Sequence, residues 1–214
     1  MRQRVRRAGI YVETVIRADI AEVWRRTQDP AAHVRWDIRF SSIEPTGEAD
    51  AGATRFRYTR RTPFHIVEGT GVSLGEVERP DGTRTSALRF ATDDVLSPIR
   101  SGRGYWRYVP TDGGTAFITG YDYEPGWCVL DVLVRPLLGW ATAWSFDRLR
   151  VWIETGVPPE RWPLWSVVWW WHLDRPRARR CRRRPVSRPR RADHLVDAPA
   201  TLAQLPDPSP EAVP

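Results

Sequence analysis

Residues 10–17 (IYVETVIR) alternate apolar with polar positions and are rich in β-branched side chains, a pattern that predicts a strand. Asp19 and Glu22 then have the spacing of a capping box, and Ile20, Val23, Trp24 and Thr27 share one helical face behind them. Asp29-Pro30 ends that helix and opens a shorter one carrying Ala32, His33 and Trp36. Alternation resumes near 39–45, 53–62, 65–78, 83–93, 101–110 and 114–124. The breaks are turn sequences: Glu48-Ala49-Asp50-Ala51-Gly52, Arg61-Thr62-Pro63, Pro80-Asp81-Gly82 and Asp112-Gly113-Gly114. Connections this short make consecutive strands antiparallel neighbours.

The period changes after residue 129. Trp140, Trp144, Val151 and Trp152 recur at helical spacing, with Phe146, Leu149 and Ile153 widening the stripe and Asp147, Arg148, Arg150 and Glu154 opposite. Pro136 and Gly139 predict a start near 137, and Gly156 with Pro158-Pro159 predicts the stop. A helix this apolar needs the sheet as its partner. The chain therefore divides into a short extension (1–9), one α+β domain (10–156), a Trp-rich apolar segment (157–174) and a tail (175–214) expected to be disordered.

Charge is unevenly placed. The sequence has no lysine, and its net +7 is a property of the tail. Residues 175–191 hold ten arginines and no acid, whereas residues 1–174 carry 23 Arg against 22 acids. No stretch offers the ~20 apolar residues that a membrane span needs. Cys128 and Cys181 make neither a disulfide framework nor a zinc site, which suits a reducing cytoplasm. His33, His65, His172 and His194 have no metal spacing, and no cofactor is expected.

The order strand, two short helices, six-strand meander and long helix resembles the SRPBCC superfamily. That group includes START lipid-transfer domains, birch-pollen-allergen proteins and polyketide cyclases and dehydrases. Ile16-Arg17-Ala18-Asp19, Val23-Trp24, Asp29-Pro30 and Trp36 carry the likeness, with Asp19 where proline is common. It covers roughly residues 10–156. The resemblance implies a helix-grip fold, a curved seven-stranded antiparallel sheet wrapped around the long helix with a ligand cavity between. Its members bind lipids or polyketides or act as enzymes, and the fold alone does not choose.

Alternation nominates the cavity lining: Phe56 and Tyr58, Leu88 and Phe90, then Phe117 and Tyr121, with Trp140 and Trp144 from the helix. On 101–110 either Trp106 and Tyr108 or Tyr105 and Arg107 face inward. A cyclase or dehydratase would need Tyr58, Tyr108, His65 or Arg107 to converge there. That enzyme is the alternative; the leading expectation is binding or carriage of a hydrophobic small molecule, lipid- or polyketide-like, with no committed catalysis. Trp162, Trp165, Trp169, Trp170 and Trp171 precede Arg182, Arg183 and Arg184. This pairing suits an anionic membrane surface, at which the chain would be peripheral, but it also suits tryptophans docked on the domain before a solvated tail. Specific nucleic-acid binding is not expected, because interleaved prolines oppose a basic helix in a groove. The oligomeric state is not legible.

Overall fold

The computed structural model describes residues 9–49, 52–76, 79–185, 195 and 198–208. Strand β1 (Ile10–Ile16) leads into α1 (Ile20–Gln28) and α2 (Pro30–Trp36). Strands β2 (Ser42–Glu48), β3 (Thr54–Arg61), β4 (Ile66–Glu76), β5 (Arg84–Ala91), β6 (Ile99–Thr111) and β7 (Gly114–Pro125) follow, then α3 (Asp131–Thr155). The strands form one antiparallel sheet in the order β1-β7-β6-β5-β4-β3-β2, so β1 closes against the last strand of the meander. Curved around α3, this is the helix-grip fold.

Local signals act largely as the sequence predicts. The Asp19 carboxylate accepts from the Glu22 amide at 2.7 Å and caps α1. Glu22 does not reciprocate, because its carboxylate takes Arg25 and Arg26 instead. Pro30 opens α2, and Gly156, at φ 73°, ends α3 in the left-handed conformation.

Two elements are displaced by three residues or more. The second strand starts at Ser42, not 39, because Asp37–Ser41 form a turn in which the Asp37 carboxylate accepts from the Arg39 amide at 3.0 Å. The long helix starts at Asp131, not 137. Pro136 falls within its first two turns, where the missing N–H forfeits a single bond near an exposed end.

The expected disorder of 175–214 does not hold for the described parts of that tail. Arg182 exchanges two backbone hydrogen bonds with Glu13, at 2.9 and 2.8 Å, on the free side of β1. Ala178 and Cys181 are buried against the core. Short helix α4 (Thr201–Gln204) and the residues after it lie on the convex face, where Leu202 and Leu205 bury against Ala53, Val72 and Ala87. Arg89 Nη1 donates to the Leu205 carbonyl at 2.7 Å, and Arg55 Nη1 to that of Asp207 at 3.5 Å. Average composition predicted disorder because it does not see single apolar residues meeting a preformed surface. Residues 1–8, 77–78, 186–194 and 209–214, on which other expectations fell, lie outside the described residues.

Candidate functional site

Register decides what faces the helix. Tyr108 opposes Phe117, Trp106 opposes Thr119, and Gly104 opposes Tyr121. Trp106 and Tyr108 therefore point to the concave side, and Tyr105 and Arg107 to the convex side. The inner positions of β4 and β6 are partly glycine, and neighbouring rings lie across them. Phe56 covers Gly71, Tyr58 covers Gly69, and Phe90 covers Gly102.

This face has two halves. Over β6 and β7 it is closed: Phe117 stacks on Phe146 at 4.3 Å and on Tyr108 at 5.0 Å, and Trp36 and Trp106 complete the cluster. Side chains thus occupy the space where a hollow was expected. Over β3 to β5 the face is apolar but half open. Phe40, Phe56, Leu88 and Phe90 are half-buried, and Leu138 and Val134 of α3 are half-buried beyond them. Tyr58 is buried among Phe40, Phe56 and Phe90, with centroids 5.7–6.5 Å away. Burial alone pushes its hydroxyl well above the ordinary range.

A polar corner borders this open half. Arg39 donates from Nη2 to Asp37 Oδ2 at 2.6 Å and from Nε to Oδ1 at 2.9 Å. His33 Nε2 sits 3.2 Å from Asp37 Oδ2. Arg39 Nη1 also donates to Thr142 Oγ1 at 3.1 Å, and that oxygen lies 2.9 Å from the Tyr121 hydroxyl. Burial would raise the Asp37 carboxyl, but Arg39 and His33 overcome it and hold the group well below the usual carboxylate range. Arg60 shares the Tyr58 face two residues on and has no ion-pair partner among the described residues. Burial lowers its guanidinium, and the Asp37 charge only partly offsets this.

The residues with possible chemistry do not converge. Tyr108 is bonded to Thr27 Oγ1 at 2.6 Å and to Gln28 Nε2 at 2.9 Å, deep under α1. Arg107 lies beneath the Tyr105 ring on the convex side, 5.3 Å from its centroid. His65 is at the β3–β4 turn, its Nε2 2.6 Å from Asp94 Oδ2. There it ties that turn to the β5–β6 loop, and Gly126 N–H joins the β7–α3 loop by donating to the Pro98 carbonyl at 2.8 Å. The same end of the sheet exposes Phe64, Val95, Leu96, Val129 and Leu133. Trp144 is buried in the core and stacks on half-buried Trp140 at 6.4 Å. Arg39, Asp37, Arg60 and Thr142 were missed by the sequence reading. Arg60 was within reach, because it follows Tyr58 at the strand period of two.

Outside the grip, β1, the C-terminal half of α3 and residues 174–182 enclose a cleft of about 910 Å³. Its lining includes Arg17, Arg150, Arg179 and Arg182 with Glu13 and Glu154.

The family model for polyketide cyclase / dehydrase and lipid transport proteins matches residues 7–154. The chain belongs to that family. A Bacillus subtilis relative, named uncharacterized membrane protein YndG, is 38% identical over 172 residues, which are 77% of this chain and 64% of the relative. The chain thus spans just under two thirds of that protein's length. A conserved protein from Geobacillus kaustophilus shares the fold, with TM-score 0.50 and 12% identity over 68% of this chain and 94% of that one. The Zhui aromatase/cyclase of Streptomyces sp. R1128 aligns at TM-score 0.49 and 13% identity, over 70% of this chain and 98% of its own. Neither solved structure, at such identity, speaks beyond the fold. Among the described residues of this family member, no helix is long and apolar enough to cross a membrane.

Proposed function

We propose that the chain binds an amphipathic hydrophobic small molecule, lipid-like and acidic at one end, in the half-open groove over β3 to β5. The observation that carries this reading is the half-buried apolar surface of Phe56, Leu88 and Phe90 beside Arg60, a cation without an ion-pair partner among the described residues. Burying such surface under an acyl chain contributes roughly 25 cal/mol per Å². An anionic head group would meet Arg60 by charge-assisted hydrogen bonds, with the Tyr58 hydroxyl as a second donor. Arg39 is already committed to Asp37 and Thr142, so it shapes the floor and leaves the head group to Arg60. The apolar loop tips at one end of the sheet suit an entrance for such a guest. The relative named a membrane protein favours a guest drawn from lipid.

The residues expected to carry a cyclase or dehydratase reaction occupy four separate places, so the reading stays with binding and carriage. Titration of the full chain with a fluorescent long-chain fatty acid tests it. One saturable site is expected, weakened about tenfold by Phe90→Ala and several-fold by Arg60→Gln, with the fold unchanged by circular dichroism. Absence of saturable binding, or binding that both variants leave untouched, removes the proposal.

A further inference from the structure

Residues 157–185 take neither of the two simple forms that the sequence left open. One side of the segment is docked. Trp162 is buried and meets Trp169 and His172 edge-on at 6.5 and 5.9 Å. Arg148, its guanidinium lowered to about 10 by burial, donates to the Pro159 carbonyl at 2.6 and 2.9 Å and fixes the start of the segment to α3. Ser166 is buried, and Val167 packs against the core. The opposite side carries Leu164, Trp165, Val168, Trp170, Trp171 and Leu173, each between 45% and 76% exposed. Six large apolar side chains within ten residues are far more than a solvated face needs.

Arginines frame this patch. Residues 161–185 hold eight Arg and one acid, Asp174. Arg175 Nε, Arg177 Nη2 and Arg180 Nη2 donate to the carbonyls of Trp169, His172 and Leu173 at 2.9, 3.3 and 2.7 Å, which lays the basic turn directly on the tryptophan stretch. Arg180 and Arg182 are paired with Asp147 and Glu13 of the domain. Arg161, Arg179, Arg183 and Arg184 are exposed and have no ion-pair partner among the described residues. Like charges crowd there: after burial, repulsion from Arg177, Arg179 and Arg180 also lowers the Arg175 guanidinium.

We infer that this face is a docking surface for an anionic phospholipid bilayer, with Trp165, Trp170, Trp171 and the aliphatic residues in the interface and the free arginines on the headgroups. Tryptophan favours the headgroup level, and each arginine near an anionic surface strengthens partitioning about fivefold. Leu164, Val168 and Leu173 decide against nucleic acid, because aliphatic chains gain from acyl contact and offer no stacking platform. The docked side fixes the patch rigidly on the domain, so the surface is preformed. The inference is independent of whether the groove holds a guest.

Co-sedimentation of the full chain with vesicles of phosphatidylcholine, alone or with phosphatidylglycerol, tests it. Pelleting should be much stronger with the anionic vesicles and fall as salt rises. The triple variant R179Q/R183Q/R184Q should lose about a hundredfold of that binding. The triple variant W165A/W170A/W171A should lose binding to both kinds of vesicle, at unchanged thermal midpoint because these side chains are exposed. Wild-type protein that stays in the supernatant, variants that pellet like wild type, or a single-stranded RNA oligonucleotide bound more tightly than the vesicles would overturn the inference.

Discussion

Arg39 grips Asp37 with two nitrogens, Nε on one carboxylate oxygen and Nη2 on the other, although the two residues are only two positions apart. Asp37 is fully buried, and the pair joins the α2 end to Thr142 of α3. Removing one member leaves the other without its counter-charge. Asp37→Asn should lower stability by about 3 kcal/mol at neutral pH, measured by urea unfolding. The folded carboxyl titrates below its unfolded range, so its contribution is present above about pH 4 and is lost as pH falls through the folded value. The gap between wild type and variant should therefore narrow in acid.

The two thiols should react very differently. Cys128 is exposed. Cys181 is buried, donates to the Ala143 carbonyl at 3.2 Å and is pushed up to about 12, chiefly by burial and then by Asp147. Iodoacetamide at pH 8 should label one cysteine per native chain and both in urea, as intact-mass spectrometry would read. Rapid double labelling of native protein would contradict the packing of residues 178–182.

Gly104 lets β6 and β7 approach under the Tyr121 side chain. A Cβ there would lie 2.5 Å from Tyr121 Cβ and 2.9 Å from the Gly120 carbonyl, positions that a rotamer change cannot relieve. Gly104→Ala should cost about 2 kcal/mol or more and lower the thermal midpoint.

The cover on the convex face is open to a similar test. Leu205 is buried with Leu202 against Val72 and Ala87. Leu205→Asp places a charge in that contact and should cost about 3 kcal/mol while raising binding of a hydrophobic dye. An unchanged midpoint would mean that residues 198–208 add nothing to stability.

Much of the scaffold was legible because it rests on short-range rules. Alternation put Phe117 and Tyr121 on the inner face, a capping aspartate started α1 and Gly156 stopped α3. The polar corner was not legible, because Arg39 meets Thr142 across 103 positions and no local pattern encodes that meeting. The choice between Trp106 and Arg107 depended on register, which pairing across strands sets. Glycine under the aromatic rings reads in sequence as weakness in a strand, whereas in the sheet it is the space a neighbouring ring fills.

An open sheet has two margins, and each could serve as a template for an added strand. In this chain both are spoiled, by unlike means. Along β1 the Arg182 backbone occupies the outward groups of Glu13, a plug at the middle of the strand. Along β2, Pro45 lacks a donor and the register slips between Pro45 and Gly47, so the outer row is kinked. A second strand laid along either margin therefore meets an interrupted ladder, a device that works against edge-to-edge pairing.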